Sequence, residues 1–140
     1  MCSSDLPVVR AAEILHDKHG MNAEIIDART LVPFNYEPVI ESVKKTGRIL
    51  LASDASTRGS YLKDMAQTVS ELAFDYLDAP PVVVGSRNWI TPAYEMEKYF
   101  FPQPSWIIDA IHQKIMPLKN HSAENDFSES KLMKLSREGV

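Results

Sequence analysis

Cysteine is nearly absent from this sequence, with Cys2 the single example. One thiol at the extreme start excludes an internal disulfide, fits a reducing compartment and lies too far out to act as a nucleophile. Glycine is also scarce, at five in 140 residues. Only Gly59 and Gly85 follow expected strands, and neither has a partner glycine. The sequence therefore holds neither G-x-G-x-x-G nor G-x-x-x-x-G-K-[ST], which excludes a dinucleotide loop and a P-loop. It has no G-x-S-x-G elbow and no Cys-His pairing. Positive charge is short, the formal net charge being −4, which argues against a nucleic-acid surface. Lys44, Lys45 and Arg48 do cluster, but at a helix end, where cations complement the dipole. No apolar run approaches the ~18 residues of a membrane span and no signal-peptide pattern opens the sequence, so the expected location is cytoplasmic. Of the four histidines only His16 and His19 are neighbours, at helical i, i+3 spacing. There a solvated pair at a helix end is expected, not a metal site.

What is present belongs to an ordinary globular chain, 44% hydrophobic and 24% charged, of a length suited to one domain with a real core. "SSDLPVVRAAEILHDKHG" reads as a helix capped by Ser4 or Asp5 and stopped at Gly20, with Val8, Ala11, Ala12 and Leu15 on one face. "AEIIDA" (23–28) reads as a short strand. Asn35 is placed to cap a second helix that carries Pro38 in its first turn and ends at Gly47. "RILLASDA" (48–55) has the continuous apolar character of a strand covered on both faces. A helix at about 60–77 follows, with Leu62, Met65, Val69, Leu72, Ala73 and Tyr76 at helical spacing. "VVV" (82–84) reads as a third strand. "PAYEMEKYFF" reads as two helical turns, and "PSWIIDAIHQKIMP" as a last helix capped by Ser105. Alternating strands and helices predict a three-layer α/β/α sandwich with a mainly parallel sheet. The tail from Leu118 is polar until "DFSESKLMKLSR", which is either a short amphipathic helix or a mobile end.

Two positions invite a chemical reading. Asp54 ends a strand, where α/β proteins place ligand-binding groups, and a phospho-accepting aspartate of a receiver-like signalling module would sit there. Arg29 and Thr30, just before Pro33, either face a ligand or tie down a turn, and the structural turn is the expectation. No self-contained catalytic, cofactor or metal set is legible. "NWITPAYEMEKYFFPQPSW" (88–106) is the anomaly, with six aromatics and three prolines in nineteen positions and no clean period. Its composition is closer to a protein interface than to a polar-dotted pocket. Trp106 is expected in the core of the last helix; Trp89, Ile90 and Tyr94 are expected to contact another subunit.

"AEIIDARTLVPFNYEPVIESVKKTGRILLASDA" and "AFDYLDAPPVVVGSRNWITPAYEMEKYFFP" are very similar to the transketolase C-terminal domain in the β part of 2-oxo acid dehydrogenase E1 components. The resemblance runs from about Leu6 to Pro117, dividing the sequence into a domain at 1–117 and a polar tail at 118–140. The stretch through "IMPL" and the ending "SREGV" most resemble E1 enzymes whose α and β parts are fused, acting on pyruvate-like or 2-oxoisovalerate-like acids. There are departures: Asp54 and the single Gly59 replace a usual glutamate and glycine pair, and Asn35 stands where aspartate is common.

The resemblance implies a parent enzyme using thiamine diphosphate and Mg2+ that passes an acyl group to a lipoyl-bearing E2 acyltransferase. It implies that catalytic and cofactor groups belong to the thiamine-binding domains and that this domain serves assembly, as part of a homo-oligomer. It also implies a central strand ahead of the first helix, for which "MCSS" is too short. The sheet is thus expected to lack its first strand, with 23–28 held apart from 48–55 across a gap.

Overall fold

The computed structural model describes residues 5–127 together with residues 131 and 134. Cys2 and the Ser4 cap lie outside them, and the helix read beyond Phe127 falls almost wholly outside them.

Helix α1 (Asp5–His19) ends where read, with Gly20 at φ 63° and its N–H donating to the His16 carbonyl. Helix α2 (Glu37–Thr46) begins where the Asn35 carboxamide accepts from the Glu37 N–H at 3.0 Å. It stops at Gly47, whose φ of 68° suits a residue without Cβ. Strand β1 (Leu50–Ser56), helix α3 (Tyr61–Ala73) and strand β2 (Val82–Ser86) follow, then a short helix α4 (Glu97–Phe100).

Helix α5 (Pro104–Ala110) starts one residue before Ser105, so Ser105 sits in the first turn and Gln103 occupies the cap position. The chain then widens into a π-helical turn (Ile111–Ile115), where a uniform α-helix was expected. The helix read at 60–77 closes earlier, at Ala73, and a 3₁₀ turn (Phe74–Tyr76) takes its place. Of the positions read at helical spacing, Leu72 and Tyr76 are exposed while Met65, Val69 and Ala73 are buried.

β1 and β2 pair in parallel, Leu50 opposite Val82, Leu51 opposite Val83 and Ala52 opposite Val84. Side chains alternate across a strand. Leu50, Ala52, Val82 and Val84 face the cluster built from Ala11 and Leu15 of α1 and Trp106, Ile107, Ile108 and Ala110 of α5. On the other side α2 and α3 close a second cluster around Val39, Val43, Val69 and Ala73. The α/β/α layering is the expected one. Each fully buried valine or leucine contributes about 1.5–3 kcal/mol, so these two clusters supply most of the fold's driving force.

The register slips between Ala52 and Ser56, since four steps along β1 match two along β2. The bulge presses the Ala55 carbonyl onto Gly85, where an added Cβ would collide with it. Gly85 is therefore required by close backbone approach.

One expected strand is missing. Residues 23–28 are not a strand: they run without ladder hydrogen bonds, and Ile25 and Ile26 are exposed. The reason is physical, because a strand is made by its neighbour. Among the described residues β1 pairs only with β2, and nothing lies in register beside 23–28. The segment is instead held by side chains: Glu24 accepts from the Ser42 hydroxyl at 2.8 Å and lies 3.7 Å from the Lys45 ammonium. No described helix is long and apolar enough to cross a membrane.

Candidate functional site

The aromatic segment after β2 is fixed at both ends. At its start Ser86 is buried, and the Ser56 hydroxyl donates to the Asn88 carboxamide oxygen at 3.0 Å. The Arg87 N–H donates to the Phe100 carbonyl at 3.0 Å, so the loop returns to its own origin. The Arg87 guanidinium lies 4.1 Å above the Trp106 ring, which is buried as expected. Partial burial there pulls the Arg87 pKa below its ordinary value. At the far end Phe100 and Pro102 are buried, with the Phe100 and Phe101 rings packed edge to face.

Between these anchors the apolar side chains point outward. Trp89 is 55% exposed, Ile90 94% and Tyr94 82%, and Met96 and Tyr99 are exposed beside them. Large apolar groups held at the surface by a fixed backbone lose little entropy on contact, which suits them to docking.

The other sequence-derived positions are spread over the molecule. Asp54 lies in the β1 bulge and lines a shallow open cleft of about 440 Å³ with Pro7, Glu97, Lys98, Phe101, Pro102 and Gln103. Arg29 pairs with Asp27 at 2.7 Å on an exposed loop, Thr30 is exposed, and Pro33 follows a cis peptide bond from Val32. That loop is tied to α3 by the Tyr61 hydroxyl, which donates to the Leu31 carbonyl at 2.7 Å. Partial desolvation raises the Tyr61 pKa, with Tyr36 adding to the effect. Asp54, Arg29 and Trp89 are not brought into one site.

A polar cluster that the sequence reading missed holds the most buried charged side chain among the described residues. Asp109 of α5 is 1% exposed. One of its oxygens accepts from His121 Nε2 at 2.7 Å. The other accepts from the Glu124 N–H at 3.2 Å and from Asn125 twice, through its backbone N–H at 2.9 Å and its side-chain amide at 2.7 Å. Burial pushes the carboxyl pKa upward, but the Asn125 and His121 hydrogen bonds outweigh it and leave the pKa below the usual carboxylate value.

His112 is drawn in as well, its Nδ1 accepting from the Leu118 N–H at 2.8 Å. The rings of His19 and His112 lie 5.8 and 5.1 Å from that of His121. The expected solvated pair at the end of α1 is thus corrected. His16 is exposed and meets Asn22, whereas His19 turns inward. No local spacing could have signalled this, since His19 and His121 come from opposite ends of the chain. Among the described residues no three His, Cys, Asp or Glu side chains are placed to hold a metal ion.

Residues 6–107 match the family model described as the transketolase C-terminal domain. Similar curated proteins include a pyruvate dehydrogenase E1 component subunit beta of Rhizobium meliloti (strain 1021), 38% identical over 102 residues, which are 72% of this chain and 22% of that protein. The mitochondrial counterpart of Saccharomyces cerevisiae is 37% identical over 107 residues, covering 75% of this chain and 29% of the relative. A mitochondrial 2-oxoisovalerate dehydrogenase subunit beta of Dictyostelium discoideum is 37% identical over 95 residues, covering 68% and 25%. The chain thus spans between about a fifth and a third of the length of the curated relatives it matches.

Proposed function

Since the chain belongs to the transketolase C-terminal domain family, we propose that it is the assembly domain of a 2-oxo acid dehydrogenase E1 component, in its β part. The parent enzyme decarboxylates a 2-oxo acid such as pyruvate or 2-oxoisovalerate and transfers the acyl group to a lipoyl-bearing E2 acyltransferase. Its partners are the thiamine-binding domains of E1, the E2 acyltransferase and a second E1 copy; neither nucleic acid nor membrane is among them. The setting is cytoplasmic. The assembly domain is read at 1–117, and the stretch after it packs back onto its last helix through Leu118, His121 and Asn125. The observation that carries this reading is the aromatic segment, anchored through Arg87, Phe100 and Trp106 while Trp89, Ile90 and Tyr94 are presented outward. The loop with Arg29, Thr30 and Pro33 is structural in this account. Family membership sets aside the receiver-like module that Asp54 invited.

Thiamine diphosphate and Mg2+ serve the parent enzyme, and the residues described here do not fit them. No ligand set for a cation converges among the described residues, and the cleft at Asp54 would present two carboxylates, Asp54 and Glu97, against the single cation Lys98 to an anionic diphosphate. No catalytic step is assigned to this chain, which is inactive alone. Calorimetric titration of the isolated chain with thiamine diphosphate and Mg2+ is expected to show no saturable heat. A micromolar dissociation constant would contradict the assignment of the cofactor site to the other domains.

A further inference from the structure

Given the assembly role of the preceding subsection, on which this rests, we propose that Arg87 is a carboxylate receptor at the neck of the aromatic segment. The partner that covers Trp89, Ile90 and Tyr94 presents an acidic side chain to the Arg87 guanidinium.

Placement and preorganisation come first. Strand β2 ends at Ser86, so Arg87 leaves the carboxyl end of a parallel sheet, where α/β folds place their contacts to other molecules. Its backbone N–H is spent on the Phe100 carbonyl at 3.0 Å, and its guanidinium lies 4.1 Å above the buried Trp106 ring. Both ends of the side chain are thus fixed before any partner arrives. An arginine held in this way loses little freedom on making a further contact.

The stack uses the flat face of the guanidinium, whereas its five N–H donors lie in the plane. Among the described residues no carboxylate stands against that fork. Burial is the sole cause of the lowered Arg87 pKa, with no acid beside it to offset the loss of water. None of the Arg87 nitrogens is among the buried unpaired atoms, so the fork still reaches solvent. Covered on one face and open at its edge, the cation is ready to accept an anion.

The other charges of the segment are placed elsewhere. Glu95 and Glu97 line a hollow with Tyr94 and Lys98 that Arg87 does not enter, and the Lys98 ammonium sits over the Tyr99 ring. Asn88, next in the chain, has its carboxamide oxygen occupied by the Ser56 hydroxyl, which leaves its NH2 as a second donor at the neck.

A partner seated on Trp89 and Ile90 takes water away from this neck. Donors stripped of water and left unmet cost more than a hydrogen bond gains, and a charged donor costs most. A carboxylate meets two guanidinium N–H groups at once in charge-assisted bonds, which an apolar or cationic surface cannot do. The exposed apolar groups therefore supply contact area, while Arg87 selects the sign of the charge that approaches.

Calorimetric titration of the chain with the thiamine-binding domains from the same source tests this. Arg87→Met keeps a long stem over Trp106 but removes the charge and every donor. It is expected to raise Kd about tenfold while leaving Tm close to that of the natural chain. Arg87→Lys, a point charge without the fork, should fall between them, at about threefold. The Arg87 Nε–H resonance of the natural chain gives a readout that needs no variant to fold. It is expected to shift and to exchange more slowly with water in the complex, and to show no saturable shift when the free chain is titrated with inorganic phosphate. Arg87→Met binding within about twofold of the natural chain, an Nε–H resonance unchanged by the partner, or saturation by phosphate would each overturn the receptor. The first of these, seen while Trp89→Ala still weakens binding, would leave the assembly role standing. A natural chain that binds nothing would overturn both.

Discussion

Replacing Asp109 by alanine is expected to lower the stability of the chain by about 3 kcal/mol, because it strips the acceptor from four donors in a water-poor site. For a domain of this size that is a fall of about 10 °C in Tm. Asp109→Asn should cost clearly less. Its carbonyl oxygen can still serve Asn125 and Glu124, and its amide can donate to a His121 ring that presents a lone pair at Nε2.

The two variants also differ from the natural chain in acid. The Asp109 pKa is depressed by folding. Its contribution is therefore complete above the ordinary carboxyl range and is lost as pH falls through the depressed folded value. The natural chain should show that acid loss well below the histidine range, and Asp109→Asn should show less of it. Thermal melts from neutral pH down to about pH 3 check both the size and the sign. An alanine variant as stable as the natural chain would mean that the 118–125 segment contributes nothing to the fold.

Trp89→Ala is expected to leave folding almost untouched and to weaken pairing with the thiamine-binding domains, or with a second copy, by about 2 kcal/mol, roughly 30-fold in Kd. The split follows from placement. Trp89 projects from the irregular segment and is half exposed, whereas Trp106 is the tryptophan buried under α1 and the sheet. Trp106→Ala should reverse the pattern, costing stability first. Parallel melting and binding measurements separate the two. If Trp89→Ala unfolds the chain while the folded remainder pairs normally, the residue belongs to the core and the outward patch is misassigned.

How much of this was legible in the sequence depended on whether the cause was local. Gly20 and Gly47 stop their helices because a left-handed residue ends a helix, and that signal is carried by one position. The apolar runs at 48–55 and 82–84 became β1 and β2 because each found the other. "AEIIDA" carries an equally good pattern and forms no strand among the described residues, since strand formation depends on what lies alongside. Composition also concealed the stretch after Leu118. Its histidine, asparagine and glutamate read as a solvated tail, yet His121 and Asn125 are ligands of a buried carboxylate contributed by a helix. Asp109 itself sits in an otherwise apolar helix, and that lone charge was the one available hint. In the aromatic segment the conflict between greasy composition and lack of period foreshadowed the exposure of Trp89, Ile90 and Tyr94.

The central claim is that this domain is an assembly piece whose aromatic face meets the thiamine-binding part of an E1 component. Light scattering after size exclusion, on the chain mixed with the thiamine-binding domains from the same source, tests it most directly. The account predicts a discrete complex containing both, which Trp89→Ala loosens and Asp54→Ala leaves intact. A chain that elutes alone beside those domains at every ratio, with Trp89 present or replaced, would contradict it.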